Sequence, residues 1–230
     1  MPTVRTLVAA VIVTAALLST TAPAAAATGP AAAVMCDAPT GPYQRPLEEF
    51  LGRPVDGVQS PEDCAAVQAF QQREGLPRTD GYADLATYRA AVVVLARPDP
   101  NAQGRCPDLD TRVTCVDMDR QLLWVQTGRR VDFGPVPVRT GRDSEETRPG
   151  LHRVYWRSKD HVSTLYDVPM PYAQFFDGGQ ALHGRAGDLY DGGGSAGCVN
   201  LTLKDARALW DLLDVDDLVY VWGTKPGTDD

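Results

Sequence analysis

The stretch SAGCVNLTLKDARALWDLLDVDDLVYVW, residues 195–222, runs from a bare loop through a helix into a strand. Thr202 is placed to cap a helix, with Asp205 three residues on. Leu203, Ala206, Leu209, Trp210 and Leu213 then fall on one stripe, as an amphipathic helix requires. DLVYVW, residues 217–222, is apolar and rich in β-branched and aromatic residues, and reads as a strand. Ahead of both stands Cys198, in the nearly side-chain-free run GGGSAGCVN, residues 192–200. A cystine half, a small buried apolar residue and a nucleophile are all open readings for it.

Working outward, the preceding hundred residues read mainly as strands. RVTCVDM (112–118) and QLLWVQ (121–126) flank a polar DRQ bend, and GRRVDFGPVPVRTG (128–141) continues the pattern. LHRVYWRS (151–158) and STLYDVPM (163–170) are further candidate strands. Residues 112–223 are therefore expected to form a mainly β domain with one late helix, and 224–230 a disordered tail. Trp124, Trp156, Trp210 and Trp222 are expected to pack in the core or on a sheet.

Residues 36–98 carry a different pattern, that of a small α-helical domain. Ser60 as N-cap, Pro61 in the first helical position and Asp63 in the third open one helix. Cys64, Val67 and Phe70 share a face of it, and Gly75 suits its exit. A second helix is predicted from about Leu85 to Arg97, stopped by Pro98. The Pro-, Asp- and Gly-rich residues 99–111 read as a linker.

The N-terminus has Arg5, an apolar run over residues 7–19 and then small residues, so 1–27 are expected to be a signal peptide. Ala31 to Ala33 offer a second cleavage site, and a lipid on Cys36 is an alternative form of export. The apolar run falls short of the ~20 residues of a membrane span, and no later segment supplies one. With a net charge of −8 and no basic stripe, nucleic acid is not an expected partner. A monomer is expected.

Five cysteines leave one over in an exported chain. Proximity favours Cys36–Cys64 and Cys106–Cys115, although four cysteines allow three connectivities. That pairing leaves Cys198 free, more than eighty positions from any other cysteine. A nucleophilic thiol needs a base. Of the three histidines, His183 in ALHGRAGD lies fifteen residues upstream, across a glycine-rich spacer that can fold back. Spacing alone equally fits a buried thiol and an unrelated histidine. His152 and His161 read as ordinary strand or loop residues. No C-x₂-C pair or histidine cluster points to a metal, and no cofactor is expected.

HG followed by SAGCVN resembles the signature of the L,D-transpeptidase (YkuD-type) family. TRPG (147–150) is similar to that family's TPxG turn, VPVRTG to the strand before it, and MPYAQFFDGGQALHG (170–184) to the run into its histidine. Residues 195–222 resemble its closing motif, helix and strand, so the resemblance covers about half the chain. It implies an L,D-transpeptidase-like β-sandwich. Separately, VDGVQSPEDCAAVQAFQQREGLPRTDGYADLATYRAA resembles a peptidoglycan-binding-like domain, without the glycine expected after each DG. A helical spacer that binds nothing is the alternative for that module.

The family resemblance implies an exported, cell-wall-associated acyltransferase acting on peptidoglycan stem tetrapeptides through a Cys198 thioester. Transfer to water would make it an L,D-carboxypeptidase. His183 would serve as general base and acid, oriented by the Gly184 carbonyl. Backbone N–H groups of Ala196, Gly197 and Cys198 could form the oxyanion hole. Tyr172 is a candidate substrate contact or a packing residue. Asn200 matches a family position near the site, or serves turn chemistry. Arg185 offers a fork to a substrate carboxylate or is solvated. Ser195 is a substrate-side or structural residue rather than a nucleophile, having no second base. The family has histidine where this chain has Ala196. That departure keeps open a wall-binding protein whose transpeptidase site has decayed.

Overall fold

The computed structural model describes residues 36–227, so the expected signal segment (1–27) and the last three residues lie outside the described residues. The element order begins with three helices, α1 (Gln44–Phe50), α2 (Pro61–Glu74) and α3 (Leu85–Ala96). Nine strands follow: β1 (Arg112–Asp117), β2 (Leu122–Thr127), β3 (Arg130–Pro137), β4 (Gly150–Arg153), β5 (Trp156–Val162), β6 (Pro169–Asp177), β7 (Gln180–Arg185), β8 (Val199–Thr202) and β9 (Leu218–Trp222). A fourth helix, α4 (Leu203–Leu212), sits between the last two strands.

The helical module is built as its caps dictate. Ser60 Oγ accepts from Asp63 N at 3.1 Å while the Asp63 carboxylate accepts from Ser60 N at 3.2 Å, a reciprocal capping box. Gly75 ends α2 in the left-handed region, at φ 66°. Phe70 of α2 meets Tyr43, Leu47, Ala83 and Ala91 in the module's own core. The Cys36–Cys64 disulfide ties the start of the described chain to α2. Gly81, at φ 82°, lies against that bond: a Cβ there would sit 2.5 Å from Cys36 Sγ, so only glycine fits.

The rest is a two-sheet β-sandwich. One sheet has the order β3-β2-β1-β9-β4 and the other β5-β6-β7-β8. Pairing is antiparallel except β1 with β9 and β7 with β8, which run parallel. One apolar cluster joins both sheets to α4 through Val125, Val219, Val221, Leu182, Val199, Leu201, Leu209 and Leu213. The opposite face of the five-stranded sheet carries Val113, Leu122, Trp124 and Trp222, covered by Val93 and Ala96 of α3. Covered on both sides, β1 and β2 are almost continuously buried. The Cys106–Cys115 disulfide lies in this second cluster and anchors the segment between α3 and β1.

Two readings of the strand region need correction. LHRVYWRS is two strands: β4 pairs with β9 in one sheet and β5 with β6 in the other. The switch falls at Val154 and Tyr155, whose N–H groups donate to Asp217 O and Phe175 O, one on each side. STLYDVPM is mostly a turn, closed by Ser163 N to Val168 O at 2.9 Å, and only Pro169 and Met170 enter β6. Trp156 takes the sheet-packing place and not a core one. It is 46% exposed and stacks on Phe175 at the sheet surface, centroids 4.6 Å apart. The described part of the C-terminal segment is tethered, with Thr224 N on Asp119 Oδ1 at 2.8 Å and Lys225 Nζ on Gly193 O.

Candidate active site

Parallel pairing of β7 with β8 sets Leu182 beside Val199 and His183 beside Asn200. Leu182 and Val199 enter the core. The alternate residues therefore project from the other face, and Cys198, two positions before Asn200, shares it with both His183 and Asn200. All three line one cleft of about 520 Å³. The segment after β3 pairs with the strand and loop that carry the thiol: Arg139 N donates to Asn200 O, Asn200 N to Arg139 O, and Ser195 N to Thr140 O.

His183 is buried and held at both ring nitrogens. Nδ1 lies 2.9 Å from Gly184 O, and Asn200 Nδ2 lies 2.8 Å from Nε2. A carbonyl only accepts, so Nδ1 carries the proton and Nε2 presents its lone pair to the Asn200 amide. Burial pushes the imidazole pKa down to about 4, against the opposing pull of the Gly184 carbonyl. Cys198 is a free thiol packed on Met170, Ala173, Phe175 and Ala181. Burial raises its pKa, and a bond from the Ala181 backbone works the other way. Near neutral pH the resting pair is thus thiol and neutral imidazole, not thiolate and imidazolium.

The glycine before the thiol is tightly fixed. Gly197 has φ 98°, and a Cβ on it would lie 2.3 Å from Gln180 Nε2. Its carbonyl accepts from Thr147 Oγ1 at 2.9 Å, and that hydroxyl accepts from Gly141 N at 3.0 Å. Gln180 is held in turn by Glu146 O and Arg148 N, each at 3.0 Å. Thr147, Gln180 and Arg139 were not singled out from the sequence. Each nevertheless lies in a run quoted above: Thr147 opens TRPG, Arg139 sits in VPVRTG and Gln180 in MPYAQFFDGGQALHG.

The remaining candidates divide. Ala196 and Ser195 line the cleft, and the Ser195 hydroxyl donates to the Cys198 carbonyl. Arg185 also lines it, its guanidinium on Asp188 O and Asp191 O. Tyr172 is not among the lining residues. It takes φ 60° and packs on the main core beside Trp210. Asn200 lies inside β8, so the turn reading fails. The lining includes four arginines, Arg139, Arg142, Arg148 and Arg185, and among the described residues no carboxylate. Tyr166, another lining residue, donates its hydroxyl to Glu145 Oε1 at 3.0 Å.

The family model of the L,D-transpeptidase catalytic domain (YkuD) matches residues 111–221, and that of a peptidoglycan binding domain matches 43–91. Among solved structures, an L,D-transpeptidase from Stackebrandtia nassauensis is 35% identical, with 84% of this chain and 97% of that one covered and a TM-score of 0.63. The chain belongs to the L,D-transpeptidase family. Two further L,D-transpeptidase structures are more distant. One from Xylanimonas cellulosilytica is 25% identical over 80% of this chain and 95% of that one, TM-score 0.46. One from Mycobacterium smegmatis is 20% identical over 49% of this chain and 58% of that one, TM-score 0.45. A search of the curated proteins found no match. As a member of the L,D-transpeptidase family, the chain is an enzyme, with a helical peptidoglycan-binding-type domain ahead of its catalytic domain. Among the described residues no group of three or more His, Cys, Asp or Glu is placed to hold a metal ion, and no helix is long and apolar enough to cross a membrane.

Proposed function

We propose that the chain is an exported, cysteine-dependent transpeptidase of peptidoglycan stem peptides, working through a Cys198 thioester. The observation that carries this reading is the register that puts Cys198, His183 and Asn200 on one face of one cleft. Two disulfides in the fold support export.

The chemistry follows from the protonation states. His183 Nε2 takes the thiol proton as sulfur attacks the stem carbonyl, so the thiolate forms as it is used. A C–S bond forms, and the carbonyl oxygen becomes an oxyanion facing the backbone N–H groups of Ala196, Gly197 and Cys198. The intermediate collapses, the C–N bond to the terminal D-alanine breaks, and His183 returns its proton to the leaving amine. An acceptor amine, or water in the carboxypeptidase variant, then attacks the thioester and restores the thiol. Asn200 holds the imidazole before the reaction and must yield Nε2 when the proton moves. Arg185, which lines the cleft with its guanidinium on Asp188 O and Asp191 O, would meet a carboxylate of the stem. The helical module would hold the enzyme on the wall.

Mass spectrometry after incubation with a carbapenem or with muropeptides tests the mechanism. A covalent adduct is expected on the unmodified protein and none on Cys198→Ala, which keeps its fold. An unmodified protein that binds sacculi and never forms an adduct would instead be the decayed wall-binding protein that Ala196 brings to mind.

A further inference from the structure

Arg139 is only 4% exposed, yet it faces a row of backbone carbonyls. Its guanidinium donates to Leu189 O at 3.1 Å and Gly192 O at 3.0 Å, and also to Asp191 O and Gly194 O. All four acceptors belong to the loop between His183 and Cys198. That loop includes Gly192 and Gly193, both in the left-handed region, and Lys225 Nζ donates to the Gly193 carbonyl. A glycine-rich loop has more conformational freedom to lose than any other, so by itself it places nothing accurately. A rigid fork of five N–H donors is suited to gathering several carbonyls at fixed angles, which a point-charge ammonium cannot do. The main chain of Arg139 is meanwhile paired with Asn200, whose amide holds His183. One residue thus spans the loop leading into the thiol and the strand leading out of it.

We propose that Arg139 is a positioning residue for acyl transfer: by clamping residues 189–194 it sets the backbone N–H groups of residues 196–198 where the oxyanion forms. This rests on the thioester mechanism above. It differs from a contribution to folding, because it concerns where donors point in the transition state and not whether the thiol is present. Groups misplaced by about 1 Å can cost about 10²-fold in rate.

Two reactions of the same sulfur separate these roles. Acylation by a carbapenem builds an oxyanion; alkylation by iodoacetamide displaces iodide and builds none. In the intact two-domain protein, Arg139→Lys and Arg139→Met should lower the acylation rate constant by ~10²-fold, the cost of a lost oxyanion donor. Iodoacetamide alkylation of Cys198 should stay within about threefold, since it needs the thiolate but no oxyanion donor. Added guanidinium, far below denaturing concentrations, should recover part of the acylation rate of Arg139→Ala. The proposal is overturned if acylation is unchanged, if both reactions fall together, or if the charge-retaining Arg139→Lys does not fold. Absence of acylation in the unmodified protein would defeat the thioester mechanism itself, a separate outcome visible before any variant is made.

Discussion

At His183 the cost of burial falls on the charged form. The imidazole titrates near 4 in the fold, against about 6.5 when unfolded, so between those values the unfolded chain binds a proton that the folded one refuses. Stability from this group is complete above about pH 6.5 and drains away as the pH falls toward 4, by about 3 kcal/mol in total. Urea denaturation at pH 7 and pH 4.5 should show a steeper loss for the unmodified protein than for His183→Gln, where glutamine takes no proton. Equal slopes would mean that His183 is not buried as a neutral base. The cysteine–histidine pair was legible because both residue types are rare in this chain and sit in distinctive surroundings. Their supports were not. Thr147 and Arg139 act on backbone carbonyls, and a carbonyl has no residue identity to read. Tyr172 misled because its left-handed φ turns the ring toward Trp210 while Pro171, its neighbour, stays on the cleft.

Among the elements, those governed by local chemistry were foreseen closely. The capping box at Ser60, the left-handed exit at Gly75 and the Thr202 cap each depend on side chains three residues apart or on one glycine. The sheet switch between β4 and β5 was missed because apolar content marks a strand without saying which sheet it joins. The short Cys106–Cys115 bridge belongs to this scale too. It fixes the segment after α3 to β1 inside the cluster shared with Val93, Ala96 and Trp124. Replacing both cysteines by serine should cost about 3 kcal/mol, the loop entropy returned to the unfolded chain. A urea titration would show it as a lower midpoint, and an unmoved midpoint would mean the cluster holds that junction without the bond.

For the molecule as a whole, composition and charge bounded the partners, and ordered motifs gave the family. What no motif conveyed was how the helical module sits on the sandwich: α3 supplies the cover for a sheet face that would otherwise be wet. The same sheet has β9 between β1 and β4, with Val113 beside Leu218, so strands from opposite ends of the catalytic domain are neighbours. This has a consequence for assembly. The strand that unites the five-stranded sheet follows residue 198 in the chain, after every other strand of the domain. Until β9 arrives, β1 and β4 have no common partner, and half of the main core has nothing to close on. Such long-range pairing is slow to form. A chain cut before Leu218 should therefore show no cooperative unfolding transition in its catalytic domain by calorimetry, whatever its helical module does. Pairing of β9 is thus the step that closes the five-stranded sheet, while the strands that carry the thiol and the imidazole belong to the other one.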